Sequence, residues 1–499
     1  MQKKIIIWLN ADITEFAISY YLQKLSDYDF YAIVDLTSNP RKFFETQTLV
    51  KFTKIWFYHD LVNEHNQFDN DFVKTFETQY DIPVRKLARH DRIFMKKFNN
   101  FYNFSESEIS KILESECFTF EQILDEIKPD IFLTNETALR PHHFFYLLCK
   151  KKNLKILMLN SANWGNYCYI SENYHKIDNF YNQFSIGNSQ ETNFEKQQKR
   201  LDSMKLSNKT KVFFKSQQSS VSQFLSAVFY YIFKSDNKVI ESYYTYYGRT
   251  KFKVLFNEVL MRFKRKSRKN FIDKNLLTKI PTDKKMIFFP LQQEPERSLL
   301  LSAPDYADQI KNIDFIVESM PDDFFLIVKE HPTQGPPTRD WRKISDYKKI
   351  LDNNRVIFMH PSVPADEIIK KSKLIISVSG TIALESAFFA VPSITFADND
   401  YSIISSISKL NSRKDLPHLI KTSLKNSCNA SEVKKYFDIL EKNSFIFNVY
   451  EFSLSYFKHL YLDANILDVE ISESNMNDLL FAQKENLERL ANEFHKRIV

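Results

Sequence analysis

The chain has 499 residues, about three times the length of a typical domain, which predicts two domains with room for a helical extension. A hydrophobic fraction of 43% and an aromatic fraction of 15% exclude a disordered chain or a small disulfide scaffold. The net charge of +7 is modest for this length and does not indicate a nucleic-acid partner. With only 5 glycines, glycine-rich phosphate loops are excluded, and any phosphate must be held by helix N-termini, hydroxyls, His or Lys.

The cysteines and the N-terminal segment bear on the compartment. Four cysteines are scattered without a CxxC pair or a zinc spacing, which predicts buried free thiols in a reducing compartment. The apolar run near the N-terminus is too short for a signal peptide, and no stretch approaches about 18 apolar residues. These features predict a cytoplasmic protein.

The first third of the chain alternates short apolar runs with amphipathic stretches, the pattern of buried parallel strands between helices. The predicted strands are Lys4–Leu9, Tyr31–Leu36, Lys54–Tyr58, Asp130–Thr134 and Lys155–Asn160. Predicted helices between them include Glu15–Leu25, Phe118–Ile127 and His142–Lys152. Residues 128–159 form a strand, a loop, a helix and a strand, which is a right-handed βαβ unit. We therefore predict one doubly wound α/β domain over residues 1–185.

Residues 186–281 differ in composition and are predicted to form a polar linker followed by a basic helical insert. Nine basic residues and a single acid, Glu258, lie between Arg249 and Lys269. Apolar residues recur among them at helical spacing, namely Leu255, Val259, Leu260 and Phe263. Two interpretations stay open: a solvated helix that links two domains, or a basic amphipathic helix on an anionic membrane surface.

A second alternation begins at Lys285 and predicts another Rossmann-like domain over residues 282–430. Its predicted strands are Met286–Leu291, Phe324–Val328, Arg355–Met359, Leu374–Val378 and Ser393–Phe396. Its predicted helices include Tyr306–Met320, Ala365–Lys371 and Ile382–Ala390. The tail, 431–499, is helical by pattern, most clearly over Asn477–Arg497. The fold class is therefore α/β, with two Rossmann-like parallel-sheet domains, a helical insert and a helical tail. This layout resembles the GT-B class of glycosyltransferases, in which the nucleotide donor binds the C-terminal domain.

The segment Val328–Gly335 places charged residues at the end of a predicted strand. Lys329, His331 and Pro332 lie at the carboxyl edge, where doubly wound sheets bind ligands. Pro332 stops the strand and fixes the backbone, and His331 can hydrogen-bond a phosphate oxygen and stabilise a departing phosphate. An ordinary turn remains the alternative.

The segment Leu374–Phe396 predicts an anion site between a strand and a helix that opens near Thr381. Hydroxyls of Ser377, Ser379 and Thr381 surround Gly380, a glycine that suggests positive φ or close approach. Helix N–H groups and these hydroxyls can hold a phosphate, although plain N-capping explains the same residues. Glu385, one turn further, is a candidate for ribose hydroxyls or a solvated helix residue.

The segment Phe288–Leu300 places a polar loop after the first strand of the second domain. Its candidate sugar-binding residues are Gln292, Gln293, Glu294, Glu296 and Ser298. Two amides and two carboxylates beside an interdomain cleft suit sugar hydroxyls, and an ordinary surface loop is the alternative.

An inverting transfer needs a carboxylate of the first domain to take the acceptor's proton. Asp12 and Glu136 follow strands predicted to be central, and Asp35 is a further candidate. Each can equally be a helix cap or loop residue. His142 and His143 are adjacent on a helix and cannot both face one site, and no DxD motif follows a strand, so no metal is expected.

The segments PLQQEPERS, KEHP and SVSGTIALESAFFAVP, in that order over about residues 285–400, resemble the bacterial capsule and surface-carbohydrate synthesis proteins, including the capsule β-Kdo transferases. They also resemble GT-B enzymes that use CMP-activated sugars and the CDP-glycerol polymerases of teichoic acid. The resemblance implies that His331, Ser379 and Thr381 bind the donor phosphate, with Lys329 or Gln292 nearby. The N-terminal half matches only in architecture.

The leading hypothesis is therefore a metal-independent GT-B glycosyltransferase of capsule-type polysaccharide synthesis, without a cofactor. It would transfer a Kdo-like or nonulosonic acidic sugar from a CMP-activated donor to a glycan or lipid-linked acceptor. The basic stretch 249–269 would hold it at the inner face of the membrane. The alternatives are a glycerophosphotransferase of the CDP-glycerol type, a non-catalytic assembly or export partner, and a sugar-nucleotide epimerase. Sugar, acceptor, linkage, stereochemical outcome and oligomeric state stay open.

Overall fold

The structure is a computed structural model, and it describes residues 2–64, 71–186, 191–204, 221–235, 242–332, 342–461 and 467–499. Two α/β halves, each built around one sheet, follow one another along the chain. The apolar runs noted in the sequence form the strands because a strand covered by helices on both faces must be apolar on both.

The first sheet has seven strands in the order β13-β6-β5-β4-β1-β2-β3. Its strands are β1 (Lys4–Leu9), β2 (Asp29–Val34), β3 (Phe52–Phe57), β4 (Ile131–Asn135), β5 (Lys155–Ser161), β6 (Tyr167–Ser171) and β13 (Phe445–Ile446). β1 to β5 are parallel, whereas β6 is antiparallel to both β5 and β13. The sheet thus has an antiparallel edge that the sequence did not predict.

Helices cover both faces of this sheet. They are α1 (Thr14–Leu22), α2 (Ser38–Thr46), α3 (Tyr58–Glu64), α4 (Phe72–Tyr80), α5 (Val84–Arg89), α6 (Glu106–Ile127), α7 (Arg140–Lys151) and α8 (Phe180–Ile186). The longest, α6, begins at a capping box in which Ser105 and Glu108 satisfy each other's backbone N–H groups.

Three helices connect the halves: α9 (Phe194–Met204), α10 (Val221–Phe233) and α11 (Lys251–Asn275). The 25-residue α11 corresponds to the basic stretch of the sequence. Near its C-terminal end, Ile272 is buried in the core of the second half. The C-terminal end of α11 therefore packs on the second half of the molecule.

The second sheet has six parallel strands in the order β12-β11-β10-β7-β8-β9. They are β7 (Lys285–Pro290), β8 (Phe324–Lys329), β9 (Val356–Met359), β10 (Leu374–Ser377), β11 (Ser393–Thr395) and β12 (Ile407–Lys409). The helices of this half are α12 (Arg297–Leu300), α13 (Gln309–Ser319), α14 (Ile344–Leu351), α15 (Ala365–Lys371), α16 (Ile382–Phe388) and α17 (Leu416–Ser423). β7, in the middle, separates β10 from β8.

The tail returns to the first half of the molecule. Its helices are α18 (Ala430–Asn443), α19 (Val449–Leu460), α20 (Glu473–Ala482) and α21 (Lys484–Ile498). Leu487, Leu490 and Phe494 of α21 are buried in one core with Phe16 and Leu22 of α1. The helical pattern over Asn477–Arg497 is divided between α20 and α21, because the chain turns at Gln483.

Candidate active site

The three segments singled out in the second half meet at one edge of its sheet. They follow β7, β8 and β10, which are neighbours, and parallel strands bring their carboxyl ends together. The two-domain α/β architecture with helical insert and tail is thus of the GT-B-like class.

Gln292 is the centre of a hydrogen-bonded cluster at this edge. Its backbone N–H donates to Gln309 Oε1 at 2.6 Å, and Gln309 Nε2 donates back to its carbonyl oxygen at 3.0 Å. Its side-chain amide donates to Ser377 Oγ at 3.4 Å and accepts from Ser379 Oγ at 3.1 Å. The loop after β7 and the loop after β10 are therefore held together. Gln309, on α13, has no signal of its own in the sequence.

Gly380 is a glycine because of close approach rather than positive φ. A Cβ added there would lie 3.1 Å from Ser377 Oγ and 3.3 Å from Gln292 Nε2. Its N–H donates to Ser377 Oγ at 3.0 Å. The Gly380 backbone thus packs directly against the polar cluster.

Neither hydroxyl beside Gly380 caps the following helix. Ser379 Oγ donates to the Ser298 carbonyl oxygen at 3.2 Å as well as to Gln292. Thr381 stands at the N-cap without a side-chain capping bond, and its hydroxyl donates to Glu385 Oε1 at 2.9 Å. Simple N-capping therefore does not explain these residues.

Lys329 is buried at the end of β8, 6% exposed, and among the described residues its ammonium has no hydrogen-bond or ion-pair partner. Burial lowers its pKa to about 8, against the opposing effect of Glu330. Its side chain shares a face of the sheet with Ser377, because Ile327 and Ile375, two residues earlier on their strands, share one core cluster. In the described part of the chain, an ammonium without an ion-pair partner and the Ser377 hydroxyl thus line the same face of the sheet, on either side of β7.

Glu330, between Lys329 and His331, has a structural role. It is fully buried, lies 2.5 Å from Arg342 Nη1 and accepts from the Tyr347 hydroxyl at 2.7 Å. It also accepts from the His331 N–H at 2.7 Å, which fixes the backbone where His331 leaves the sheet. His331 itself is half-buried.

The remaining predicted residues of this edge differ in burial. Gln293 is buried, Glu296 and Ser298 are half-buried, and Pro332 is exposed. Glu294 is buried and pairs with Arg342 of its own half at 3.4 Å and with Lys97 of the first half. Burial raises the pKa of Glu294, but Arg342 and Lys97 outweigh it and the pKa is lowered overall. Glu294 therefore joins the two halves rather than lining a sugar pocket.

In the first half of the molecule, near its contact with the second half, Glu136 pairs with a histidine that the sequence analysis did not single out. We call this contact between the halves the seam. His175 Nε2 lies 3.1 Å from Glu136 Oε1, and the Ser161 N–H donates to the same oxygen at 2.8 Å. Burial raises the pKa of Glu136, but His175, the Ser161 N–H and Arg297 outweigh it, so the pKa is lowered. The Glu136 side chain is 32% exposed. An ionised carboxylate thus backs an imidazole at the seam.

Arg297 connects this pair to the hydroxyl cluster. Its Nε donates to the Thr137 carbonyl oxygen at 2.6 Å, and its guanidinium lies 3.2 Å from the centre of the Tyr174 ring. The next residue, Ser298, accepts from Ser379. Arg297 and Ser298, which are adjacent in the chain, therefore connect the Glu136–His175 pair to the cluster around Gly380. Arg297 stands in the loop that the sequence highlighted, but among carboxylates and amides it gave no separate signal.

Asp12 lies near Glu136, but its carboxylate accepts hydrogen bonds from a neighbour in the chain. Its Oδ1 accepts from the Thr14 N–H at 3.1 Å and from the Thr14 hydroxyl at 2.5 Å. Burial raises its pKa, and the bonds from Thr14 offset this only in part. Because Ile13 is the N-cap of α1, these local bonds match the alternative of a loop residue.

His142 and His143 are both buried in the first half. His142 Nε2 lies 2.7 Å from Thr134 Oγ1, and His143 Nδ1 lies 3.0 Å from Thr137 Oγ1. Burial lowers the pKa of His142 to about 3. Over the ranges that the structure describes, no three His, Cys, Asp or Glu side chains are grouped so that they could hold a metal ion.

Residues 189–412 match the family described as capsule polysaccharide biosynthesis protein. This match confirms the family resemblance predicted from the motifs, and all three motif segments of the second half lie within the matching part of the chain. A search of curated proteins gave no significant match.

Several solved structures resemble the chain at low identity. The UDP-GlcNAc 2-epimerase of Methanocaldococcus jannaschii is 13% identical with a TM-score of 0.23, covering 89% of this chain and 100% of that one. The KpsC β-Kdo 2,7 transferase of Thermosulfurimonas dismutans is 10% identical with a TM-score of 0.29, covering 69% and 85%. Anabaena HepE, solved with UDP and glucose, is 9% identical with a TM-score of 0.28, covering 90% and 98%. Similarities this weak carry no argument about activity.

Proposed function

We propose that the protein is a nucleotide-sugar glycosyltransferase of capsule-type polysaccharide synthesis that works without a metal ion or a cofactor. The observation that carries the proposal is Lys329, a buried lysine that has no ion-pair partner among the described residues and shares a face of the sheet with the Ser377 hydroxyl. A buried cation of this kind is expected to take an anion, and a nucleotide phosphate supplies one.

The donor's phosphate would lie between Lys329 and the cluster of Ser377, Ser379 and Thr381, with His331 at the neighbouring strand end. Helix α16 has only seven residues, so Lys329 and the side-chain donors are expected to contribute more than its dipole. Glu385 would turn from Thr381 toward a ribose hydroxyl. The choice of a CMP-activated acidic sugar rests on the motif resemblance alone.

The acceptor would approach from the side of the first half, where Glu136 and His175 lie. His175 would take the proton of the attacking hydroxyl while Glu136 stabilises the imidazolium that forms. The acceptor oxygen bonds to the anomeric carbon as the bond from that carbon to the phosphate oxygen breaks. The nucleotide leaves with the bonding electrons, and Lys329 and His331 stabilise its charge. The acceptor is proposed to be a glycan or a lipid-linked glycan.

Calorimetric titration with CMP, CDP, UDP and GDP tests the donor assignment. His331→Ala should weaken the preferred cytidine nucleotide at least tenfold. The matched control is His360→Ala, since His360 also precedes a proline at a strand end but lies 2.6 Å from Ser362 Oγ and 3.2 Å from Asp273. A preference for UDP would indicate hexosyl transfer or epimerisation instead. Binding of none of the four would refute the enzyme and favour an assembly partner.

A further inference from the structure

Helices α10 and α11 carry an unusual share of the molecule's exposed apolar surface. Of the 18 large hydrophobic side chains found exposed in the described ranges, nine lie on these two helices. They are Leu225, Phe229, Ile232, Phe233, Phe252, Phe256, Val259, Leu260 and Phe263. Exposed apolar residues concentrated in this way mark a binding surface, whereas single ones are ordinary.

The apolar residues of α11 form one stripe, which we call the aromatic stripe: Phe252, Phe256, Val259, Leu260 and Phe263. Their spacing of three and four places them on one side of the helix. Phe252 is 82% exposed and Phe263 is 70% exposed. Leu255, grouped with the stripe from sequence, is half-buried beside it. The outward face is therefore more aromatic than the sequence pattern indicated.

Both helices are fixed, so this exposure is a property of the fold. Lys251 Nζ donates to the carbonyl oxygens of Ile232 at 2.7 Å and Ser235 at 2.8 Å, which ties the start of α11 to the end of α10. At the other end of α11, the buried Arg268 donates to the Arg342 carbonyl oxygen at 3.2 Å. The stripe lies between these two anchors.

Basic residues flank the aromatic stripe on both sides. At 3.6 residues per turn, Lys253 and Lys264 fall along one border, and Arg262 falls along the other. All three are exposed. Aromatic side chains bordered by cations are the arrangement of a helix that lies in the plane of a membrane interface.

We propose that α10 and α11 together dock the protein on a bilayer containing anionic lipid. The phenylalanines of the stripe, together with Phe229 and Phe233 of α10, insert at the boundary between headgroups and acyl chains. The flanking cations contact lipid phosphates. In the part of the chain that the structure describes, no helix has the length and apolarity to cross a bilayer, so the contact is with one surface. This inference does not depend on the donor chemistry proposed above.

The flanking charges favour a membrane over a second copy of the chain. A symmetric dimer through the stripe would place the same patch against itself, and the cations of both copies would face each other. Anionic lipid instead neutralises them. A solvated linker, the other interpretation of the sequence, requires no row of exposed phenylalanines.

Co-sedimentation of the full chain with vesicles tests the proposal. Vesicles of phosphatidylcholine with phosphatidylglycerol should bind the protein, and pure phosphatidylcholine vesicles should bind it at least tenfold more weakly. Combined Phe252→Ser, Phe256→Ser and Phe263→Ser should reduce binding at least tenfold. Arg262→Glu with Lys264→Glu should do the same and remove the salt dependence. The matched control is Phe481→Ser, at a site 80% exposed on α20, which should bind as the wild type does.

The midpoint of thermal unfolding, followed by circular dichroism on each variant, separates loss of membrane binding from loss of folding and should stay unchanged. Equal binding of the wild type to both kinds of vesicle, or unchanged binding by the triple variant, would overturn the proposal. So would a concentration-dependent dimer in analytical ultracentrifugation that the triple variant abolishes, since the stripe would then bind a second copy.

Discussion

Arg297 Nε, in the second half of the molecule, donates to the carbonyl oxygen of Thr137 in the first half at 2.6 Å. Thr137 directly follows Glu136, and Ser298 directly follows Arg297, so this one contact sets the distance between the carboxylate–histidine pair and the hydroxyl cluster. Group transfer between two bound substrates depends on such spacing, because a misplacement of about 1 Å can cost roughly 100-fold in rate.

Replacing Arg297 should therefore impair turnover more than donor binding. We expect Arg297→Lys to lower kcat about 100-fold while the nucleotide Kd changes little, because a lysine cannot keep both the Thr137 contact and the Tyr174 stack. Steady-state kinetics beside calorimetry measures the two quantities. Lys86→Ala, which removes the exposed seam contact with Asp305, is the control and should leave both unchanged. A loss confined to Kd would assign Arg297 to donor binding instead.

The pair of Glu136 and His175 predicts a loss of chemistry without a loss of donor affinity. His175→Gln should lower kcat roughly 100- to 10,000-fold, the range for a general base, and Glu136→Gln should act in the same direction. Nucleotide Kd should remain that of the wild type, because both residues lie on the acceptor side. His90→Gln, at a histidine whose Nδ1 lies 3.0 Å from the Lys86 carbonyl oxygen, is the matched control. Full activity in His175→Gln would return the role of base to Glu136 or Asp12.

Much of the fold could be predicted from the sequence because apolar runs report burial directly. Every predicted strand is present, with ends that differ by at most two residues. Of the strands that escaped prediction, β12 and β13 are short edge strands, and β6 pairs with β13, which comes from the distant tail. β13 illustrates this, because Phe445 pairs with Cys168, far away in the sequence.

The candidate site likewise has residues that could be predicted from the sequence and residues that could not. Motif residues of the second half meet because they follow adjacent parallel strands, which the sequence could predict. The partners of those residues could not be predicted, since nothing local in the sequence links Arg342 to Glu330 or Gln309 to Gln292. His175 escaped because it follows β6, a strand that was itself not predicted.

We expect replacement of Glu330 to affect stability rather than catalysis. Glu330→Ala leaves the buried Arg342 guanidinium without its main partner, which should reduce the free energy of unfolding by about 3–5 kcal/mol. Chemical denaturation measures this loss. Asp323→Ala, which breaks the exposed pair with Lys285, is the control and should leave the free energy of unfolding nearly unchanged. A stable Glu330→Ala protein that no longer binds nucleotide would instead place Glu330 in the donor site.

Lys329 should destabilise the protein in the absence of donor. Its pKa is about 8 when folded, below the ordinary 10.5, so the unfolded chain binds more protons between these values and stability rises with pH across that window. Lys329→Met should therefore raise the free energy of unfolding at pH 7 by up to roughly 3 kcal/mol. The difference from the wild type should shrink as pH approaches 10. Lys285→Met, at an exposed lysine, should show no such trend. A destabilised Lys329→Met would mean that the ammonium already has a stabilising partner.

The same lysine should make donor affinity fall as pH rises, which is opposite to its effect on stability. Below pH 8 the Lys329 ammonium is charged and attracts the nucleotide phosphate, and above pH 8 it loses its proton, so affinity should fall as pH rises. Lys329→Met should bind cytidine nucleotide roughly 10- to 100-fold more weakly at pH 7, the value of a charge-assisted hydrogen bond, and should lose the dependence above pH 8. Titrations at pH 7, 8 and 9 measure both effects, with Lys285→Met as the control. If Lys329→Met binds as the wild type does at every pH, the phosphate lies elsewhere on the sheet edge.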